Sequence, residues 1–197
     1  MTNISDSLTH EQKITLLRLA RRSIELAVKD EPPLHLSLND YSPPLNEKGA
    51  SFVTLTKHGE LRGCIGALEP YQTLVEDVYE HAAAAAMNDY RFYPVRLTEL
   101  NDLNIEVSRL TLPHALEYNH PLELPALLHP GVDGVILKDG FKRATFLPQV
   151  WSQLPTPEDF LMHLCQKMGS AENVWRQKLL QVSIYHVEEF TEKEMQR

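Results

Sequence analysis

The sequence predicts an α+β protein: a mainly antiparallel sheet flanked by helices, with a smaller attached lobe. Three observations carry this. Two strand–turn–strand patterns, centred on His58–Gly59 and Asp139–Gly140, specify hairpins, which are antiparallel by construction. Three segments have helical periodicity, two of them with good start signals. No strand–helix unit repeats, so a doubly wound parallel sheet has no support.

The elements follow in order. Thr9 and Gln12 have capping-box spacing, and Leu17, Ala20, Ile24, Ala27 and Val28 recur at three- and four-residue steps, giving a helix over 10–29. Residues 30–50 hold four prolines and many turn formers; they read as an irregular loop packing through Leu34, Leu36 and Leu38. FVTLTK and LRGCIGA flank the first turn. If no bulge intervenes, the second arm presents Leu61, Gly63, Ile65 and Ala67 on one face and Arg62, Cys64 and Gly66 on the other. A guanidinium and a thiol then stand about 6.6 Å apart along a strand, beside glycines that leave them uncovered.

The alanine-rich run 71–88 is the second helix, with Asp77 and His81 four residues apart and a stop imposed by Pro94 on NDYRFYP. LNIEVSRL, 103–110, alternates as a strand with Leu103, Ile105 and Val107 inward and Glu106 and Ser108 opposite. Residues 113–134 are too interrupted by proline for a long helix. GVILKDGFKRATF makes the second hairpin, with Asp139 and Gly140 as its two turn residues. Thr156 and Pro157 open a helix over 157–168 that Gly169 stops; VSIYHVEEF, 182–190, is a terminal strand, followed by a charged tail of seven residues.

Composition limits function. The chain has 197 residues, with 19 Lys and Arg against 27 Asp and Glu, a formal charge of −8. That balance argues against nucleic acid as a partner while leaving room for a local basic pocket. No apolar run approaches membrane-spanning length and the N-terminus lacks a signal-peptide pattern, so a cytoplasmic location without membrane association is expected. The two cysteines make no zinc-type pair, and free thiols fit a reducing compartment. The whole chain, 1–197, reads as a single domain with a small, non-independent subdomain.

Cys64 is the thiol with a chemical setting, since Arg62 can favour its thiolate; Cys165 lies on an apolar helical stripe and reads as core. A cysteine mechanism needs a base, for which His81 oriented by Asp77 is the candidate. Arg62, Asp89, Arg91 and Lys142 or Arg143 are residue types that hold a carboxylate or phosphate, surface ion pairs being the ordinary alternative. His114, Glu117 and His120 are metal-ligand types, but their setting between Pro113 and Pro121 reads as a polar loop, and no metal site is assigned. Dinucleotide, P-loop and serine-hydrolase motifs are absent, and no cofactor is indicated.

Four blocks, LRGCIG at 61–66, DYRFYPV at 89–95, EVSRL at 106–110 and GVDGVILKDGFKRATFLPQVW at 131–151, resemble AmmeMemoRadiSam system protein A, the AMMECR-type domain family, in order and spacing. The resemblance covers most of the chain. It implies a sheet-and-helix lobe with a smaller attached lobe, a cleft near LRGCIG, and association with Memo-type and radical-SAM proteins of the same system. By position it marks Arg62, Gly63, Cys64, Gly66, Asp89, Arg91, Glu106 and Ser108 as site or site-framing residues. Asp133 and Gly134 match the DG form where other relatives carry HG. The expected function is an accessory protein that binds a small anionic metabolite or a partner protein near Cys64; the alternative is an enzyme or modification factor using Cys64 activated by Arg62.

Overall fold

A computed structural model describes residues 7–195; the first six residues of the segment read as lacking a signal peptide, and the last two of the charged tail, lie outside them. The chain forms two compact units, one running to Leu110 and resuming at Glu188, the other spanning Thr111–Val187. The first contains α1 (His10–Val28), β1 (Lys48–Lys57), β2 (Glu60–Gly66), β3 (Gln72–Thr73), α2 (Leu74–Met87) and β4 (Leu103–Leu110). The second contains β5 (His114–Ala115), α3 (Leu124–Leu127), β6 (Gly134–Asp139), β7 (Lys142–Phe146), α4 (Pro157–Lys167), α5 (Val174–Gln177) and β8 (Gln181–Tyr185). β9 (Val187–Thr191) and α6 (Glu192–Met195) follow.

In the first unit the sheet order is β2-β1-β4-β9, with β3 paired to the start of β1. The pairings of β1 with β2, β3 and β4 are all antiparallel. Val53, Leu55, Ile105 and Val107 project from one sheet face into a core with Leu16, Ala20 and Ile24 of α1 and Val75, Val78 and Ala82 of α2. Helix α1 begins where its sequence predicts, whereas α2 begins at Leu74 rather than at 71, because Gln72 and Thr73 pair with the start of β1 as β3. Thr9 and Thr73 each accept a hydrogen bond from the third helical residue, whose own side chain returns to the cap N–H. Directly paired residues share a face, so the opposite face carries Thr54 beside Cys64 and Glu106, and Phe52 beside Gly66 and Ser108.

The second unit has the sheet order β5-β8-β6-β7. Val135, Leu137 and Ala144 pack with Phe160, Leu161, Leu164 and Cys165 of α4. The Trp151 ring stacks on Phe160 at 3.8 Å between centroids, and Trp151 Nε1 donates to Asp133 O at 2.7 Å, so the indole is buried without losing its hydrogen bond.

Several expectations need correction. Leu34 and Leu38 are exposed; Leu36 and the buried Leu45 supply the loop's apolar contacts, because a proline-rich path has no period that says which side chain turns inward. The second hairpin pairs Asp139 with Lys142, so its turn residues are Gly140, at φ +61°, and Phe141. The stretch 182–190 is two strands in different sheets. They part at His186, whose N–H donates to Thr111 Oγ1 and whose carbonyl accepts from Thr111 N. Alternation continues through such a break, which hid it. The charged tail starts as α6, where Glu192 pairs with Arg21.

Candidate functional site

The site begins with a bulge in β2. Leu55 pairs with Gly63, but Thr56 pairs with Leu61, leaving Arg62 as the extra residue. The strict alternation expected for this arm therefore fails at Leu61, which moves to the face of Thr56. Arg62 leaves the regular row of Cys64. Beyond the bulge, Gly63 backs onto α2 so closely that a Cβ there would collide with the carbonyl of Ala85. The small residues Ala82, Ala85 and Ala86 allow this approach.

β2 is an edge strand, and an edge exposes unpaired backbone groups. At Cys64 those groups are taken by the segment that follows α2. Asp89 Oδ2 accepts the Cys64 N–H at 2.8 Å, and Arg91 Nη2 donates to the Cys64 carbonyl at 3.1 Å. The two side chains also pair with each other, Arg91 Nε reaching Asp89 Oδ1 at 2.9 Å and Nη2 reaching Oδ2 at 2.6 Å. They thus act together as a one-residue substitute for a neighbouring strand. Asp89 is 4 % exposed, and the Arg91 donors hold its carboxyl well below the ordinary carboxylate range, with the Cys64 and Arg91 N–H groups adding to them against the opposing effect of burial.

The half-buried thiol itself faces another group: Thr54 Oγ1 donates to Cys64 Sγ at 3.3 Å. Arg62 turns instead to Glu99, donating from Nε at 3.2 Å and from Nη2 at 3.0 Å. Lys57 Nζ reaches the same carboxylate at 3.0 Å. Glu99 is held at about 2, first by the Arg62 hydrogen bonds and then by the Arg96 N–H. It remains charged at any neutral pH.

Lys57, Arg62, Arg91, Arg96 and Glu99 line one cavity of about 460 Å³, closed on another side by Phe92 and Tyr93. Phe92 is engaged, with the Arg91 guanidinium 5.5 Å from its ring centroid. Tyr93 is 87 % exposed. Four cations here meet two carboxylates, Glu99 and Asp89, so the site carries two uncompensated positive charges in a chain of net charge −8. Arg62 Nη1 is buried without an acceptor, and the guanidinium of Arg96 has none among the described residues.

Other candidates lie in different settings. His81 hydrogen-bonds Asp77 at 3.2 Å and the exposed Tyr71 at 3.3 Å, and Asp77 also accepts from Ser51 at 2.6 Å; the buried Ser51–Asp77 bond joins α2 to β1. The partners of His81 and of Cys64 are distinct sets. Glu106 and Ser108 share the Cys64 face of the sheet, and Glu106 is pushed up by burial and by the nearby Glu189 and Glu194 carboxylates. Cys165 is fully buried in the second core, where burial raises its thiol. Lys142, in the second unit, is bonded to the Gly169 carbonyl and Ser170. His114 lies in β5 while His120 caps the short helical turn Pro121–Glu123, and among the described residues no group of three metal-ligand types is placed to hold an ion. Sequence reasoning missed Lys57, Arg96 and Glu99. Glu99 has no motif around it, and only the bulge at Arg62 shows that its partner turns that way.

Fold and site together define an α+β protein of antiparallel sheets in two units, with a cationic cavity beside a glycine-flanked cysteine strand. The chain belongs to the AMMECR1 family, whose model matches residues 17–190. A protein of Methanothermobacter thermautotrophicus is 40 % identical over 163 residues, covering 82 % of this chain and 84 % of that one. A Thermofilum pendens protein is 38 % identical over 204 residues, covering 94 % and 92 %. The crystal structure of an uncharacterized Pyrococcus horikoshii protein, 36 % identical, superposes with a TM-score of 0.75 and covers 94 % of each chain. Among the described residues no helix is long and apolar enough to cross a membrane.

Proposed function

We propose that this protein is a cytoplasmic accessory protein that binds a small anionic metabolite in the cavity beside Cys64, in the service of Memo-type and radical-SAM partners. The observation that carries the reading is the cavity's excess of two positive charges. Lys57 and Arg62 are drawn together on one carboxylate, which lowers the cost of ordering them when an anion arrives. Asp89 and Arg91 support the cavity by holding the edge of β2 in place. The partner class rests on the family resemblance.

Isothermal titration with inorganic pyrophosphate tests this. Saturable binding that weakens with salt, and that falls about tenfold in Arg96→Gln, is expected for a charge-driven site. No binding of pyrophosphate, phosphate or dicarboxylates at low salt would overturn the reading.

One observation favours a second reading, cysteine chemistry at Cys64: the Thr54 hydroxyl donates to its sulfur at 3.3 Å, which places a polar partner beside the nucleophile. Arg62 is not the activating group in this version, because its Nε and Nη2 donors serve Glu99. Alkylation of Cys64 should then slow in Thr54→Val at fixed pH; an unchanged rate would remove Thr54 from the account.

A further inference from the structure

Three features of the cavity say more about a ligand than its net charge does. Tyr93 leaves a large ring in solvent at the rim of a charged site, whereas its neighbour Phe92 is occupied by Arg91. Arg62 Nη1 is a buried donor with no acceptor, which ordinarily costs free energy unless something fills the role. Arg96 adds a guanidinium with no protein partner among the described residues.

Charge and shape limit what satisfies all three. The site's excess is two positive charges, and a phosphomonoester carries about −1.5 to −2 at neutral pH, with three strong acceptor oxygens on one centre. A single tetrahedral group can therefore meet several guanidinium groups lining one cavity. A dicarboxylate has the same charge but divides it between separated planar groups. The volume of about 460 Å³ lies in the range of small-molecule sites. An exposed aromatic beside cations is the combination that stacks a planar ring while the cations hold its anionic end.

We infer that the cavity takes a phosphomonoester carried on a planar ring, such as a nucleoside monophosphate, with the phosphate held by Arg62 and Arg96 and the ring laid on Tyr93. This rests on the anion-binding reading and narrows it to one class of ligand. The phosphate enters between the Arg62–Glu99–Lys57 cluster and Arg96. Arg91 stays on Asp89 and Cys64, so the ligand need not break the β2 edge clamp.

The test titrates the full-length protein with AMP, phenyl phosphate, inorganic phosphate, adenosine and succinate. AMP or phenyl phosphate should bind about tenfold tighter than inorganic phosphate, the scale of one stacking contact. Adenosine should show no saturable binding. Tyr93→Ala, at an exposed position that leaves the fold intact, should bring both ring phosphates down to the affinity of phosphate without changing phosphate itself. Arg96→Gln should weaken ring phosphates and phosphate alike. Ring phosphates that bind no tighter than phosphate, or that ignore Tyr93→Ala, overturn the ring assignment while anion binding stands. Succinate matching AMP overturns the phosphate assignment. Failure of every anion instead overturns the anion-binding reading beneath it.

Discussion

The β1–β2 hairpin of the first unit and the β6–β7 hairpin of the second both turn through a glycine at positive φ, Gly59 at +90° and Gly140 at +61°. Their arms differ. β2 carries two further glycines, and at Gly63 the neighbour is the backbone of α2. At Gly134, where β6 begins, the neighbour is the side-chain ring of Tyr185. The first hairpin is surrounded by polar clamps: Asp89 and Arg91 on Cys64, Glu99 on Arg62 and Lys57. The second presses Val135, Leu137 and Ala144 against Phe160 and Trp151. One hairpin thus exposes backbone and charge to a cavity, and the other closes an apolar core.

The largest effect expected from this contrast is in the second unit. Phe160→Ala removes a fully buried ring stacked on Trp151 and should cost about 3–5 kcal/mol in denaturant unfolding. Hydrogen exchange should show protection falling in α4 and β6 more than in α1 and α2; an equal fall in all four would break the contrast. Next in size is Gly63→Ala, at about 3 kcal/mol, because the obstructing atom belongs to a helix backbone that cannot rotate away. The same change at Gly140 meets open space and should cost only about 1 kcal/mol, the strain of its positive φ. Reversal of that order would show that the close approach of β2 to α2 is not the constraint.

The smallest effects are electrostatic. The Glu99 carboxyl is depressed to about 2 from its ordinary 4.5, so it binds fewer protons folded than unfolded in that interval. Its stabilisation is fully present above about pH 4.5 and is lost as pH falls toward 2. Glu99→Gln should therefore lose about 1 kcal/mol at neutral pH, after solvent screening, and converge with the wild type at the acid end. Lys178→Gln, which removes a half-exposed pair with Asp139 in the second unit, should change stability by less than about 0.5 kcal/mol across the same range. A pH-dependent loss as large as that of Glu99→Gln would erase the electrostatic difference between the two hairpins.

Much of this was legible in the residues. Capping Thr9 and Thr156, the stop at Gly169 and the alternation of 103–110 act within a few residues, where sequence and geometry are tightly linked. The residues mark Cys64, Asp89 and Arg91 as chemically able to act together, and their relation in the structure differs from the expected one. The carboxylate and guanidinium grip the cysteine's backbone, while its sulfur belongs to Thr54. The bulge at Arg62 decided this, since one extra residue separates the regular row of Cys64 from the side chain expected beside it. No local pattern announces a bulge when the arm contains two glycines and no competing turn signal.

What the sequence by itself determined is the inventory: an antiparallel α+β chain, an acidic one, with a glycine-flanked cysteine strand and arginines able to make a basic pocket within it. Helix caps, turns and alternation are short-range, and composition requires no coordinates. The tertiary structure alone decided which charges face one another. Glu99 is 37 residues from Arg62 and 42 from Lys57, and it meets both only because β1, β2 and the segment after α2 converge. Pairings across such separations depend on strand register and the closeness of helix to sheet, quantities that arise from packing the whole unit.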